Sequence, residues 1–306
     1  MTNPGYQFHV LGHGGLFEAQ TLEVFSYPMG DITVRRIPDT DLVQGTIQMM
    51  AVHRTAVDWT LVQQWAALVE HLFPGQPRVL ALAYLPSARG DKDVPNPALV
   101  NATLAAGSGI TDIVTIDPHS GVWLAALRAT NPAIRQHLLP LGDIVHRALT
   151  ADAGASGHLG VISPDKGAVA RAGEAAALLG VPVYVASKNR DPQTGRLTDY
   201  TLDADLAPGA YLVVDDIFDG GGTFALLAGA VPDGVVLDLW VTHGGFTKPD
   251  FSAAARARYR RIYTTDSLSS AVAAGLADSQ IQVTALRPWI TAAVQLGELA
   301  GAGEQR

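Results

Sequence analysis

Short β-branched runs alternate with longer amphipathic stretches along almost the whole chain, and carboxylates and glycines gather just after the runs end. Val79–Leu85, Ile113–Ile116, Leu159–Ile162, Val183–Ala186, Tyr211–Val214 and Val235–Val241 read as buried strands. Thr55–Phe73 reads as a helix with Leu61, Val62, Trp65, Leu68, Val69 and Leu72 on one face, stopped by Pro74 and Gly75. Ala168–Leu179 reads as another, closed by Gly180 as a C-cap. Strands separated by helices predict an α/β fold with mainly parallel sheets. In such sheets ligands bind at the carboxyl ends of strands, where Asp117, Asp165, Asp215 and Asp216 fall. The arrangement occurs once in each half, which predicts two tandem domains, 1–145 and 146–306, each a mainly parallel sheet flanked by helices. The Gly/Ala-rich stretch after Leu296 is expected to fray.

Composition narrows the functional classes. A chain of 306 residues, 48% apolar and 16% charged, suits two well-packed domains. A net charge of −8 offers no attraction to nucleic acid or to an anionic membrane surface. A polyphosphate ligand would therefore need positive charge collected locally or supplied by metal ions. With no cysteine there are no disulfides or thiolate metal sites. The first residues lack the pattern of a signal peptide, and no apolar run reaches the roughly 20 residues that span a bilayer. The expectation is a soluble, cytoplasmic protein.

The most informative segment is Tyr211–Phe224. An apolar strand leads into Asp215 and Asp216, then Asp219, Gly220, Gly221, Gly222 and Thr223, then an apolar helix. Consecutive glycines let backbone N–H groups converge on one point, and a helix N-terminus adds its positive end: a phosphate cradle. Asp215 and Asp216 would repel bare phosphate, but they suit ribose hydroxyls or a bridging magnesium ion. The run is neither a Walker A loop nor a dinucleotide fingerprint. The bland alternative is a tight turn whose acids cap a helix.

This run resembles the phosphoribosyl-pyrophosphate motif of type I phosphoribosyltransferases and of ribose-phosphate pyrophosphokinases. Three further segments favour the second group. Tyr84–Lys92, with Ala88-Arg89, resembles a segment that reaches the ATP phosphates. Thr115–Gly121 resembles one whose histidine, here His119, lies at metal and ATP phosphates. Val161–Gly167 followed by Lys188-Asn189-Arg190 resembles a magnesium-linked aspartate, here Asp165, and a mobile loop bearing a catalytic Lys and Arg. Tyr27–Arg35 resembles an adenine-holding loop, often shared with a neighbouring subunit, in which Tyr27 would stack and Asp31 would accept a hydrogen bond; a hairpin turn is the alternative there. Read singly, Arg89, Lys188 and Arg190 are surface cations and His119 an ordinary polar residue.

The resemblance implies two phosphoribosyltransferase-like domains, the first carrying the ATP-binding segments and the second the ribose-phosphate cradle and catalytic loop. It implies transfer of pyrophosphate from ATP to the 1-hydroxyl of ribose 5-phosphate, magnesium as cofactor, and a homo-oligomer with its site near a subunit interface. Three departures qualify it. Few residues precede Tyr27; Gly90 replaces a usual glutamine, with Lys92–Pro97 shortened; and Gly220 stands where the family has a threonine for the terminal phosphate. Losing that hydroxyl removes a hydrogen bond to a charged acceptor worth about 1.5–3 kcal/mol. The space opened would suit a larger 5-substituent, so ADP-ribose is an alternative acceptor. A phosphoribosyltransferase and an inactive regulatory homologue are the other readings, although the latter often lacks the two loop cations present here.

Overall fold

Two sheets organise the chain, and the central strands of both are largely buried. The computed structural model describes residues 5–152, 157–190, 197–248 and 257–303. They form two units, Met1–Leu139 with Leu286–Arg306, and Pro140–Ala285.

The first unit contains β1 (Tyr6–Leu11), β2 (Phe17–Ala19), β3 (Leu22–Ser26), β4 (Ile32–Arg36), β5 (Ile47–Val52), β6 (Arg78–Ala81), β7 (Asp112–Thr115) and β8 (Arg135–Leu138). Its main sheet runs β2-β1-β5-β6-β7-β8, while β3 and β4 make a separate hairpin. From β5 to β8 the pairing is parallel; β1 is antiparallel to both its neighbours. Every residue of β5 is buried, as expected for a strand covered on both faces. The helices are α1 (Trp59–Leu72), α2 (Pro97–Ala106) and α3 (Val122–Thr130). The expected helix over 55–73 starts only at Trp59, because the Asp58 carboxylate caps it by accepting from the Thr60 and Leu61 amides. Leu61, Val62, Trp65 and Val69 are its buried face, as the spacing predicts.

The second unit contains α4 (Leu141–Ala151), β9 (His158–Ser163), α5 (Val169–Leu179), β10 (Val183–Arg190), β11 (Leu197–Leu202), β12 (Gly209–Phe218), α6 (Gly222–Ala230), β13 (Val235–Gly244), β14 (Tyr259–Thr265), α7 (Ser269–Ala277) and β15 (Ile281–Thr284). Its sheet runs β11-β10-β9-β12-β13-β14-β15, parallel apart from the edge strand β11. Gly180 ends α5 in the left-handed region, φ 68°, as the sequence suggests.

The observed division differs from the expected 1–145 and 146–306 at both joints. Helix α4 starts the second unit, and the last helix, α8 (Arg287–Gly303), returns to the first. Packing explains the return. Leu286, Ile290 and Val294 are buried, the Gln295 side-chain amide donates to the Gly15 carbonyl (3.0 Å), and Gly297 faces the His137 ring at a distance that leaves no room for a Cβ.

In each sheet a buried carboxylate ties strands together. Asp112 on β7 accepts from Arg135 (2.7 and 2.8 Å) and bonds His137 (2.7 Å), both on β8. Asp238 on β13 does the same with Arg260 on β14 and His158 on β9. Burial alone would push the Asp112 carboxyl up. The bonds from His137, Arg135 and Thr111 outweigh it and hold the group down, at about 2. We predict that Asp112→Ala loses about 2–3 kcal/mol in urea denaturation at neutral pH, less than a fully buried pair because the Arg135 side chain stays partly in water. This contribution exists above the ordinary carboxylate pKa near 4. It should fade as pH falls from about 4 towards 2, so that variant and parent converge in acid.

Candidate functional site

Strand β12 outruns its sequence expectation. It continues past Val214 through both acids to Phe218, paired with β13 as far as Phe218 against Gly244. Asp215 and Asp216 therefore lie inside a strand, with their carboxyl groups close enough to interact with each other. Asp216 is buried, at 5% exposure, and its backbone N–H donates to the Asp215 carboxylate (2.9 Å). Burial first, and then repulsion from Asp216, push the Asp215 carboxyl up to about 8. The opposing pull comes from Arg171 on α5, whose guanidinium lies 3.6 Å from Asp215 and 3.8 Å from Asp216. At these distances one cation offsets two acids electrostatically.

Beyond Phe218 the chain turns through the three glycines into α6. Gly221 sits at φ 76°, where a side chain is strained, and it occupies the N-cap of α6. The first-turn amides of α6 thus open onto the loop, with Gly222 and Thr223 the first residues of the helix. A second segment braces the turn. The Gly245 and Phe246 amides both donate to the Phe218 carbonyl (2.7 and 3.1 Å), and the Thr247 amide donates to the Asp219 carbonyl (3.1 Å). The Thr247 hydroxyl adds a bond to the Asp219 carboxylate (2.5 Å). Gly245 cannot carry a side chain here, because its Cβ would stand 2.9 Å from the Phe218 oxygen. Phe246 holds a left-handed φ of 45°, and its ring packs on Phe218 at 4.8 Å. The brace also lays Lys248 across Gly220: a Cβ on Gly220 would lie 3.2 Å from the Lys248 Cδ.

The remaining residues predicted from sequence are spread over both units. Asp165 follows β9 and caps a single 3₁₀ turn, its Oδ1 accepting from the Gly167 and Ala168 amides (2.8 and 3.2 Å); that turn packs against β12. Lys188 and Arg190 were expected on a loop, but their backbones lie at the end of β10, paired with Tyr200 and Leu197 of β11. Their side chains fall outside the described residues. In the first unit, Arg89 is exposed in a 3₁₀ turn (Ala88–Gly90) that follows left-handed Ser87 (φ 58°). His119 is half-buried in the loop after β7, with Asp117 at φ 43° and His119 itself at φ 62°. Two non-glycine residues in that region within three positions mark a backbone held under strain. The Tyr27 and Asp31 segment is a hairpin tip, with the Tyr27 amide donating to the Asp31 carbonyl (2.7 Å). Gln64 of α1 fixes the hairpin by accepting from the Val34 amide and donating to the Ile32 carbonyl (3.1 and 3.3 Å). Tyr27 is half exposed, edge-on to Phe25, which Arg35 covers.

Among the described residues there is no cluster of three or more His, Asp or Glu that would hold a metal alone. No described helix is long and apolar enough to cross a membrane. Sequence reasoning missed Arg171 and the bracing role of Gly244–Thr247. An arginine one turn beyond the Asp165 motif, and paired glycines after a second strand, were the available signals.

No family model matches the chain. Two curated relatives, the ribose-phosphate pyrophosphokinases of Cereibacter sphaeroides and Maricaulis maris, are 27% and 26% identical over 213 and 194 residues. These alignments cover 67% and 61% of this chain but only 61% and 60% of the relatives, so the chain spans about three-fifths of their length. The phosphoribosylpyrophosphate synthetase of Mycobacterium smegmatis superposes with a TM-score of 0.67 over 91% of this chain and 90% of that one, at 21% identity. The two-sheet α/β architecture expected from the sequence is thereby shown to be that fold.

The raised carboxyl of Asp215 has a measurable consequence. Between about pH 4 and pH 8 the folded protein holds a proton that the unfolded chain has released, so raising pH through this window destabilises the unliganded protein. Asp215→Asn removes that penalty. We predict a higher melting temperature than the parent at pH 9, with the gap closing towards pH 4. The gain should be at most about 6 kcal/mol at about 1.4 kcal/mol per unit, and less because Arg171 and Asp216 readjust. A gap that does not change with pH would refute the assignment.

Proposed function

We propose that this homologue of the ribose-phosphate pyrophosphokinases transfers the pyrophosphate group of ATP to the anomeric 1-hydroxyl of ribose 5-phosphate, releasing AMP. The observation that carries this reading is the continuous path from the Asp215–Asp216 pair, through a left-handed glycine turn, to the first-turn amides of α6. Carboxylates accept from sugar hydroxyls, and the amides beyond them receive a dianionic phosphate end.

The reaction needs alignment and charge neutralisation more than covalent chemistry. Asp215 and Asp216 would hold the ribose hydroxyls, with Arg171 keeping the pair partly ionised. Asp219 and Gly220–Thr223 would seat the phosphate end. Lys188 and Arg190 would offset charge growing on the transferred group and on the leaving α-phosphate. Arg89 and His119 would meet the ATP phosphates, and Tyr27 and Asp31 the adenine. In this reading the first unit serves ATP and the second the sugar phosphate. The assembly would be a homo-oligomer whose hairpin tips approach a neighbour's site.

Magnesium fits this donor set in part. It takes oxygen ligands, commonly one or two carboxylates plus substrate phosphates and water, so a three-residue cage is unnecessary. Asp165 offers the right chemistry; the imidazole of His119 is a softer donor and suits a phosphate oxygen better. When bound, the ion would supply positive charge to the polyphosphate.

The ADP-ribose expectation is not carried forward. The relatives' names specify ribose phosphate, and the space that Gly220 opens is crossed by the Lys248 stem. A phosphoribosyltransferase would not use the Arg89 and His119 segments, and an inactive homologue would have less use for Lys188 and Arg190.

With ATP, magnesium and ribose 5-phosphate, AMP and a 1-pyrophosphorylated sugar should form together; AMP release independent of the sugar would count against the reading. Lys188→Ala and Arg190→Ala should each lower turnover roughly 100- to 1000-fold while ATP still binds. Near-parental turnover in both would remove them from the machinery.

A further inference from the structure

Three carboxylates, Asp215, Asp216 and Asp219, stand within five positions of one another at the mouth of the glycine turn. Arg171 is shared by the first two. A phosphate dianion entering this turn needs a further cation, and the side chain at position 220 offers none. Lys248 meets the need by position. Its Cγ, Cδ and Cε all lie within 3.2–3.6 Å of where a Gly220 Cβ would be. The stem therefore runs over the bare backbone of Gly220, and the residue remains exposed at its outer end.

The placement is built rather than incidental. Lys248 directly follows the segment whose Gly245, Phe246 and Thr247 amides are bonded to Phe218 and Asp219. Phe246 is kept in a left-handed conformation to make that segment turn. The closeness of Gly245 to the Phe218 carbonyl lets the two strand ends meet. These contacts hold the residues immediately before Lys248 beside the turn.

We propose that Lys248 is a specificity residue for the phosphate end of the sugar substrate: its ammonium pairs with the phosphate monoester in the Gly220–Thr223 turn. A side chain at position 220 would crowd the lysine stem, which would have to give by a few tenths of an ångström. A charged donor then takes the place of the expected threonine hydroxyl. A monoester, with two negative charges at neutral pH, gains more from this cation than a singly charged diester does. The proposal rests on the reading of the turn as a sugar-phosphate site, and the test separates the two.

Ribose 5-phosphate is titrated calorimetrically into the full-length protein and into Lys248→Met, Lys248→Arg and Asp216→Asn. Lys248→Met keeps an unbranched stem and loses the charge, and is expected to weaken binding about tenfold or more, the scale of one charge-assisted contact. Lys248→Arg should stay within a few-fold of the parent. The parent's affinity should fall with added KCl more steeply than that of Lys248→Met. If Lys248→Met binds as tightly as the parent while Asp216→Asn is weakened, the Lys248 assignment is wrong and the sugar-phosphate site stands. If neither variant is weakened, the site reading itself fails and takes the proposal with it.

Discussion

Two adjacent acids set inside one strand resist being ionised together, and the second sheet is arranged to tolerate them. Asp215 and Asp216 lie beyond the point where β12 could have stopped, yet β12 keeps its pairing with β13 to Phe218. The ladder continues on the β13 side, and the Asp216 amide is taken by the Asp215 carboxyl group. Arg171 supplies charge from the side, 3.6 and 3.8 Å from the two carboxylates. A tighter bidentate pair would be more stable and would compete with a diol for the same lone pairs. The destabilisation therefore acts as a reserve that sugar hydroxyls would relieve on binding.

The same economy appears in the backbone around the turn. Gly221, Gly245 and Phe246 concentrate conformational demands in two short segments after neighbouring strands. Gly221 needs the left-handed region, Gly245 needs close approach to a carbonyl, and Phe246 is held at positive φ by its ring contact with Phe218. Binding loops that must not collapse when empty benefit from this over-determination. Phe218 stacks on Phe224 (5.2 Å), which carries the order into the first turn of α6.

Much of this was legible in the sequence because it is periodic or local. The α1 stripe from Leu61 to Val69, the Gly180 cap and the run from Asp215 to Thr223 depend on residues close in the chain. The end of β12 was misplaced because acids look like strand terminators; partnership with β13, more than 20 positions away, keeps them in the ladder. The C-terminal helix groups with the first unit, unlike the division expected from sequence, for a related reason. Its partners, Gly15 and His137, are far away in sequence. Arg171 escaped notice because an arginine on a helix is ordinarily solvated. Only the register of α5 against β12 turns it towards the acids.

Position 220 shows how sequence comparison and geometry differ as guides. A threonine replaced by glycine reads as a loss: one donor fewer and a gap to be filled by a larger substrate. In three dimensions the gap has an occupant from the chain itself. The Thr247 hydroxyl anchors to Asp219, and the next residue extends its stem over the glycine. A hydroxyl attached to the turn is rigid and short, whereas an ammonium on a four-carbon stem is charged and adjustable. In a chain with a net charge of −8, drawing a cation from a neighbouring strand end places positive charge where an anion would sit without making the surrounding surface basic.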